Sequence, residues 1–161
     1  MATFNAPHPE STITVHAYGE SAEGVWPRLR LLVDGVEVAT REVDATSSTA
    51  YSFALPLERG ISHRVEVQYF NDLATRTEDR NLYVQGIEVN GRLINSTDDG
   101  VTYDRGTLDG RDVMAGREGL WWDGTLQFDT TVDDFPVLAT DVTDAATTSI
   151  VINAQGTAAA G

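Results

Sequence analysis

Cysteine and lysine are both missing from this chain. Without cysteine there can be no disulfide and no thiolate metal site, so a bound cation must rely on oxygen or imidazole. With lysine absent, all 11 basic residues are arginine, set against 25 Asp and Glu for a net charge of −14. That field repels nucleic-acid phosphates and anionic membrane surfaces, so neither is expected as a partner, and it favours divalent cations. No apolar run approaches the roughly 18 residues of a membrane-spanning helix, so no membrane insertion is expected. The first residues, Met1 to Glu10, carry neither a basic nor an apolar region, and no signal peptide is visible there. The three histidines, His8, His16 and His63, lack zinc-ligand spacing, and there is no nucleophile elbow or phosphate-cradling glycine loop. Catalysis is not expected.

Helical periodicity is also missing, whereas strand periodicity is plain. Val65, Val67 and Tyr69 alternate with Arg64, Glu66 and Gln68, and Ile13, Val15 and Ala17 alternate with Thr14 and His16. Three segments run apolar, Asp-Gly or Asn-Gly, apolar: Leu31 to Val38, Ile87 to Ile94, and Leu120 to Phe128. Each predicts a tight hairpin, because a type I′ turn needs positive φ at both central residues. Gly86 interrupts the alternation between Val84 and Ile87 by one place, which predicts a bulge. At 161 residues the chain suits one domain. Many short strands with turn signals between them predict an all-β fold, an antiparallel β-sandwich of jelly-roll type.

The most informative stretch is Phe70 to Val84, where Asn71, Asp72, Glu78 and Asp79 gather oxygen between two strand-like runs. Carboxylates and carbonyls on a short loop suit calcium, which takes six to eight oxygen ligands in irregular geometry. The same residue types also initiate turns without any metal. The string Phe-Asn-Asp, a short loop, then Asp-Arg-Asn-Leu-Tyr-Val resembles the signature of calcium-dependent xylan-binding carbohydrate-binding modules, families thirty-six and sixty. Supporting pieces are Ile13 to Gly19, Leu29 to Gly35, Ile87 to Gly91 and Leu120 to Phe128, in an order similar to family sixty.

The resemblance implies that Asp72 and Asp79 ligate calcium through their carboxylates and Glu78 through its backbone carbonyl. Vicinal hydroxyls of xylan-like or other β-glycans would fill the remaining positions, the partner being a polysaccharide met outside the cell. Two departures stand in the signature: Gln85 occupies a place where an acidic residue is expected, and Arg76 sits within the loop. Arg80 is expected to brace Asp79 or another carboxylate. Asn71 lies beside the metal ligands, and Trp26 and Tyr103, read as loop aromatics, are candidates to stack on sugar rings. Trp121 and Trp122 are adjacent on an expected strand, so one should face the core and the other solvent.

On this reading residues 1–12 are an N-terminal extension, 13–130 the module and 131–161 a C-terminal extension with one or two added strands. Residues 95–118, with Asp98, Asp99, Asp104, Asp109 and Asp112, read as long solvated acidic excursions between strands; a second cation site there matches no calcium-loop spacing. The strand-like pieces after Thr130 keep open a second reading: a structural subunit of an extracellular fibre or surface assembly, with self-assembly through the terminal segments. A third is an acidic domain that binds calcium only for stability.

Overall fold

A computed structural model describes residues 10–139. Strand β1 (Ser11–Glu20) runs along the centre of the first sheet between β4 (Thr49–Leu55) and β7 (Asp79–Val89). The long β7 also carries β6 (Leu73–Ala74), β8 (Arg92–Asn95) and β11 (Gly119–Leu120) on its far edge. The second sheet has the order β10-β9-β12-β5-β2-β3, formed by Val113–Ala115, Thr102–Arg105, Gly124–Phe128, Val65–Tyr69, Arg28–Val33 and Val36–Glu42. All pairings are antiparallel.

The alternation explains the layers. Ile13, Val15, Ala17, Leu82, Val84 and Ile87 from one sheet meet Leu29, Leu31, Val65, Val67, Leu126 and Phe128 from the other in a single buried cluster. The architecture is the expected antiparallel β-sandwich. The expected bulge is present too. His16 pairs with Gly86 and Ala17 with Val84, leaving Gln85 as the extra residue. Gly86 is required there because a Cβ would collide with the Ile94 carbonyl on β8.

Two of the three expected hairpins form. Asp34-Gly35 (φ 52° and 78°) closes β2–β3, and Asn90-Gly91 (φ 49° and 92°) closes β7–β8. The third does not. Neither Asp123 nor Gly124 has positive φ; β11 belongs to the first sheet, β12 to the second, and residues 121–123 cross between them. Gly124 has a different reason to be glycine. A Cβ would stand 2.5 Å from the Tyr103 hydroxyl and 2.6 Å from its ring.

Residues 95–118 are also more ordered than long excursions, since β9 and β10 lie within them. The sandwich continues past Thr130: a 3-10 turn at Val132–Asp134 delivers Phe135 into the core, edge-on to His63 at 4.7 Å. Phe135 to Leu138 do not form the added strand expected of them. The second expected strand, Thr147 to Asn153, and most of the terminal segments invoked for self-assembly lie outside the described residues.

Candidate functional site

The site is built around the hairpin that β6 and β7 make at one end of the sandwich. Leu73 pairs with Arg80 and Ala74 with Asp79, so the turn is Thr75 to Glu78. Directly opposed residues share a face and neighbours alternate. Continuing this register sets Asp72 across from Asn81, with Asp72, Ala74, Asp79 and Asn81 on one face and Leu73 and Arg80 on the other. Asp72 and Asp79 therefore stand on the same side, diagonal to each other.

A third carboxylate joins them from the crossover between sheets. Asp123 Oδ1 accepts the Asp72 backbone N–H at 2.8 Å. Burial pushes the Asp72 carboxyl above the ordinary carboxylate range, and the like charges of Asp123 and Asp79 push it further, against smaller opposing contributions from a backbone hydrogen bond and Arg80. Asp72 Oδ1 is buried with no hydrogen-bond partner, and so is Asn81 Oδ1. Asn81 Nδ2 donates to Glu20 Oε2 at 3.0 Å, so the amide's donor side is spent while its oxygen stays uncommitted. A buried unsatisfied carboxylate oxygen costs free energy, and more so amid like charge. A divalent cation would remove that cost. Among the described residues no group of three or more His, Cys, Asp or Glu side chains forms a metal cage by itself. The donor chemistry nonetheless fits a hard ion that takes carboxylate and amide oxygen and keeps open positions.

Beneath the carboxylates lie two tyrosines. Tyr69 donates to the Arg80 carbonyl at 2.6 Å, and burial raises its pKa well above the ordinary phenol value. Tyr103 is fully buried on β9 and donates to the Trp122 carbonyl at 2.6 Å. Burial is the largest cause holding its pKa up at about 12. Tyr103 is thus not a loop aromatic with a face for sugar; it belongs to the floor, where it fixes the crossover that carries Asp123.

Other expected residues serve as scaffolding. Asn71 is clamped by its own chain, accepting from Arg28 N at 2.7 Å and donating to the Trp26 carbonyl at 3.0 Å. Trp26 is half-buried in the β1–β2 loop and meets the site through that carbonyl. The Glu78 carbonyl accepts from Thr75 N at 2.7 Å and Thr75 Oγ1 at 3.0 Å, which fills a carbonyl's two lone-pair directions. Its carboxylate accepts from Glu23 N. In this arrangement Glu78 closes the turn and ties it to the β1–β2 loop. Arg80 braces no carboxylate: it is buried and donates to the carbonyls of Val25, Asn71 and Ala22 at 2.6 to 2.8 Å, pinning that loop to the hairpin. Arg76 is exposed on the turn and makes no ion pair with a described residue.

Trp121 and Trp122 are not split between core and solvent. Residues 121–123 lie off the strand, so both rings are exposed, at 44% and 43%, and meet edge-to-face at 6.0 Å. Each has an arginine over its ring, Arg117 at 4.1 Å on Trp121 and Arg105 at 5.1 Å on Trp122. Trp121 packs over Gly119, which pairs with Tyr83, and the Tyr83 hydroxyl reaches Glu20 Oε2 at 3.1 Å, the same oxygen that holds Asn81. Tyr83 and Glu20 therefore link the strand beside this indole to Asn81. Asp123, Asn81 and this placement of Trp121 were missed in the sequence because Asp-Gly read as a turn and Asn81 as an ordinary strand residue.

The acids of the 95–118 region are largely satisfied internally. Asp98 accepts from Asn95 N at 2.8 Å, Asp112 pairs with Arg105 at 2.6 Å, and Asp104 Oδ2 accepts from Asp109 N and Gly110 N.

Sequence and fold comparisons give the family and the fold. Residues 12–104 match the profile of the calcium-dependent, xylan-binding carbohydrate-binding modules of family sixty, and the chain belongs to that family. It is a carbohydrate-binding module, a non-catalytic class of protein. Among solved structures it is similar to vCBM60 in complex with galactobiose, at 22% identity and a TM-score of 0.54, covering 73% of this chain and 97% of that one. It is also similar to the selenomethionine form of vCBM60, described as showing that circular permutation links two families of calcium-dependent modules, at 24% identity and a TM-score of 0.54 over 76% and 92%. These two likenesses bear on the fold. No curated protein matches the chain. Among the described residues no helix is long and apolar enough to cross a membrane.

Proposed function

We propose that this module binds xylan-like or other β-glycans through a calcium ion held by carboxylates of Asp72, Asp79 and Asp123, with Asn81 Oδ1 as a neutral donor. Vicinal hydroxyls complete the coordination, and Trp121 offers an apolar surface to the neighbouring ring. The observation that carries this reading is the buried, unpartnered Oδ1 of Asp72 between two like charges. The calcium dependence and xylan binding that define the family support both the metal and the sugar. A vicinal diol is a bidentate neutral ligand, so a half-satisfied ion at an accessible end of the sandwich selects sugars with adjacent hydroxyls and needs no deep cleft. A polysaccharide of this kind places the module outside the cell, and the sandwich from Ser11 to Phe135 is its working unit.

Isothermal titration against xylobiose and galactobiose, with calcium and then with chelator, tests the proposal. Binding that persists unchanged in chelator refutes the metal-mediated mechanism.

A further inference from the structure

Beside Asp123 lies a groove of about 490 Å³, lined by Gln68, Tyr69, Phe70, Thr107, Leu108 and Asp123. Its volume sits in the roughly 300–1,000 Å³ range of small-molecule sites. The lining combines two aromatics with an aliphatic side chain, an amide, a hydroxyl and a carboxylate, which suits a molecule with apolar ring faces and many hydroxyls.

The walls are held in place before any ligand arrives. Phe70 is backed by the Arg30 guanidinium at 4.4 Å, and Arg30 Nη1 donates to Gln68 Oε1 at 3.0 Å. The opposite wall is the loop after β9. Gly106 N donates to the Asp123 carbonyl at 2.7 Å, and Asp104 Oδ2 anchors the backbone at Asp109 and Gly110. Leu108, at the loop's tip, is 37% exposed. Gln68 is held in a cross-strand row with Thr125 and Asp104, both fully buried, so its position is set by the sheet.

Continuity decides the occupant. Asp123 belongs both to the carboxylate group and to the groove, so a sugar bound at one touches the other. We infer that the groove is a second sugar subsite, filled by the residues that follow the metal-bound one in the same glycan chain. The module then grips a run of the polysaccharide that extends from the metal-bound residue into the Phe70–Leu108 groove. This rests on the cation-mediated reading above.

Titration with xylobiose, xylotriose and xylohexaose in calcium tests it, using the full chain and the exposed-loop variants Leu108→Ala and Thr107→Ala. Affinity should rise from the disaccharide to the hexasaccharide. Leu108→Ala should weaken hexasaccharide binding about fivefold, as loss of that apolar contact implies, while leaving disaccharide binding unchanged. Equal affinity at all lengths, or variants indifferent at every length, overturns the groove and leaves the metal reading intact. Length-dependent binding that survives chelator and is lost in Leu108→Ala supports the groove and sinks the metal. No binding of any oligosaccharide overturns both.

Discussion

Asp72→Asn separates the cost of the carboxylate group from its use. In the metal-free protein Asp72 stands beside the like charges of Asp79 and Asp123, with one oxygen buried and unpartnered. Like charges separated by several ångströms repel by about 1–3 kcal/mol at the effective dielectric of a protein surface, and Arg80 offsets part of this. Neutralising Asp72 should therefore stabilise the metal-free fold by about 1 kcal/mol, or roughly 2–4 °C in Tm for a chain of this size. Calcium at a hundred times its dissociation constant adds about 2.7 kcal/mol to the wild type, roughly 5–10 °C. Asp72→Asn should lose most of that rise.

The melting curves should consequently cross: the variant above wild type in chelator and below it in calcium, read by differential scanning calorimetry. The pH dependence follows from the same carboxyl. Its folded pKa lies above 3.8, so its penalty on the metal-free protein is present above that raised value and is relieved as pH falls through it. Calcium affinity falls in the same window, because the ligand must be deprotonated. A variant that melts lower than wild type in chelator, or keeps the full calcium-dependent rise, refutes the reasoning.

Trp121→Ala should lower glycan affinity roughly three- to tenfold, the scale of one aromatic contact, yet leave the calcium-induced rise in Tm unchanged; loss of that rise would place the indole in the metal site's structure instead. Tyr103→Phe removes the donor to the Trp122 carbonyl, so it should cost about 1–2 kcal/mol in denaturant unfolding and weaken calcium binding, although the ring itself meets no ligand. An unchanged calcium affinity would show that the crossover carrying Asp123 is set by other contacts. His63 donates at 2.7 Å to both Asp34 Oδ2 and the Glu58 carbonyl, which requires the imidazolium. Burial works against that charge, but the Asp34 hydrogen bond and charge and the Glu58 carbonyl outweigh it, so the pKa is raised from 6.5. Its contribution, about 1.5 kcal/mol, is full below 6.5 and is lost as pH rises through the raised value. His63→Gln should flatten that part of the stability profile.

The strands were legible because a half-buried sheet forces alternation, and every alternating run from Ile13 to Phe128 appears as a strand with its apolar side inward. Turn chemistry was legible only where the dipeptide's sole reason was φ. Asp34-Gly35 and Asn90-Gly91 obey it, whereas Gly124 is glycine because Tyr103 comes within 2.5 Å. A sequence shows the dipeptide and hides which constraint it answers. That ambiguity is why Asp123 read as a turn residue, and why Trp121 and Trp122 were assigned to opposite faces of a strand that ends at Leu120.

Asp72 and Asp79 were legible as a pair because they stand at the two ends of a short oxygen-rich loop that resembles the family signature; the hairpin register sets them on the same face. Their third partner was not. Asp123 arrives from a strand order in which β12 lies in the other sheet, and such long-range topology leaves no local pattern. Arg80 was misassigned for a related reason. A cation among acids suggests ion pairing, yet this one is buried and donates to three carbonyls of the β1–β2 loop and the start of the hairpin, two of which also accept a backbone N–H across the Ala22–Val25 bridge. Its charge still bears on the site. It lowers the Asp72 pKa without bonding the carboxylate, and so leaves Asp72 Oδ1 uncommitted. An arginine paired directly to Asp72 would instead have satisfied the oxygen on which the proposed cation site rests.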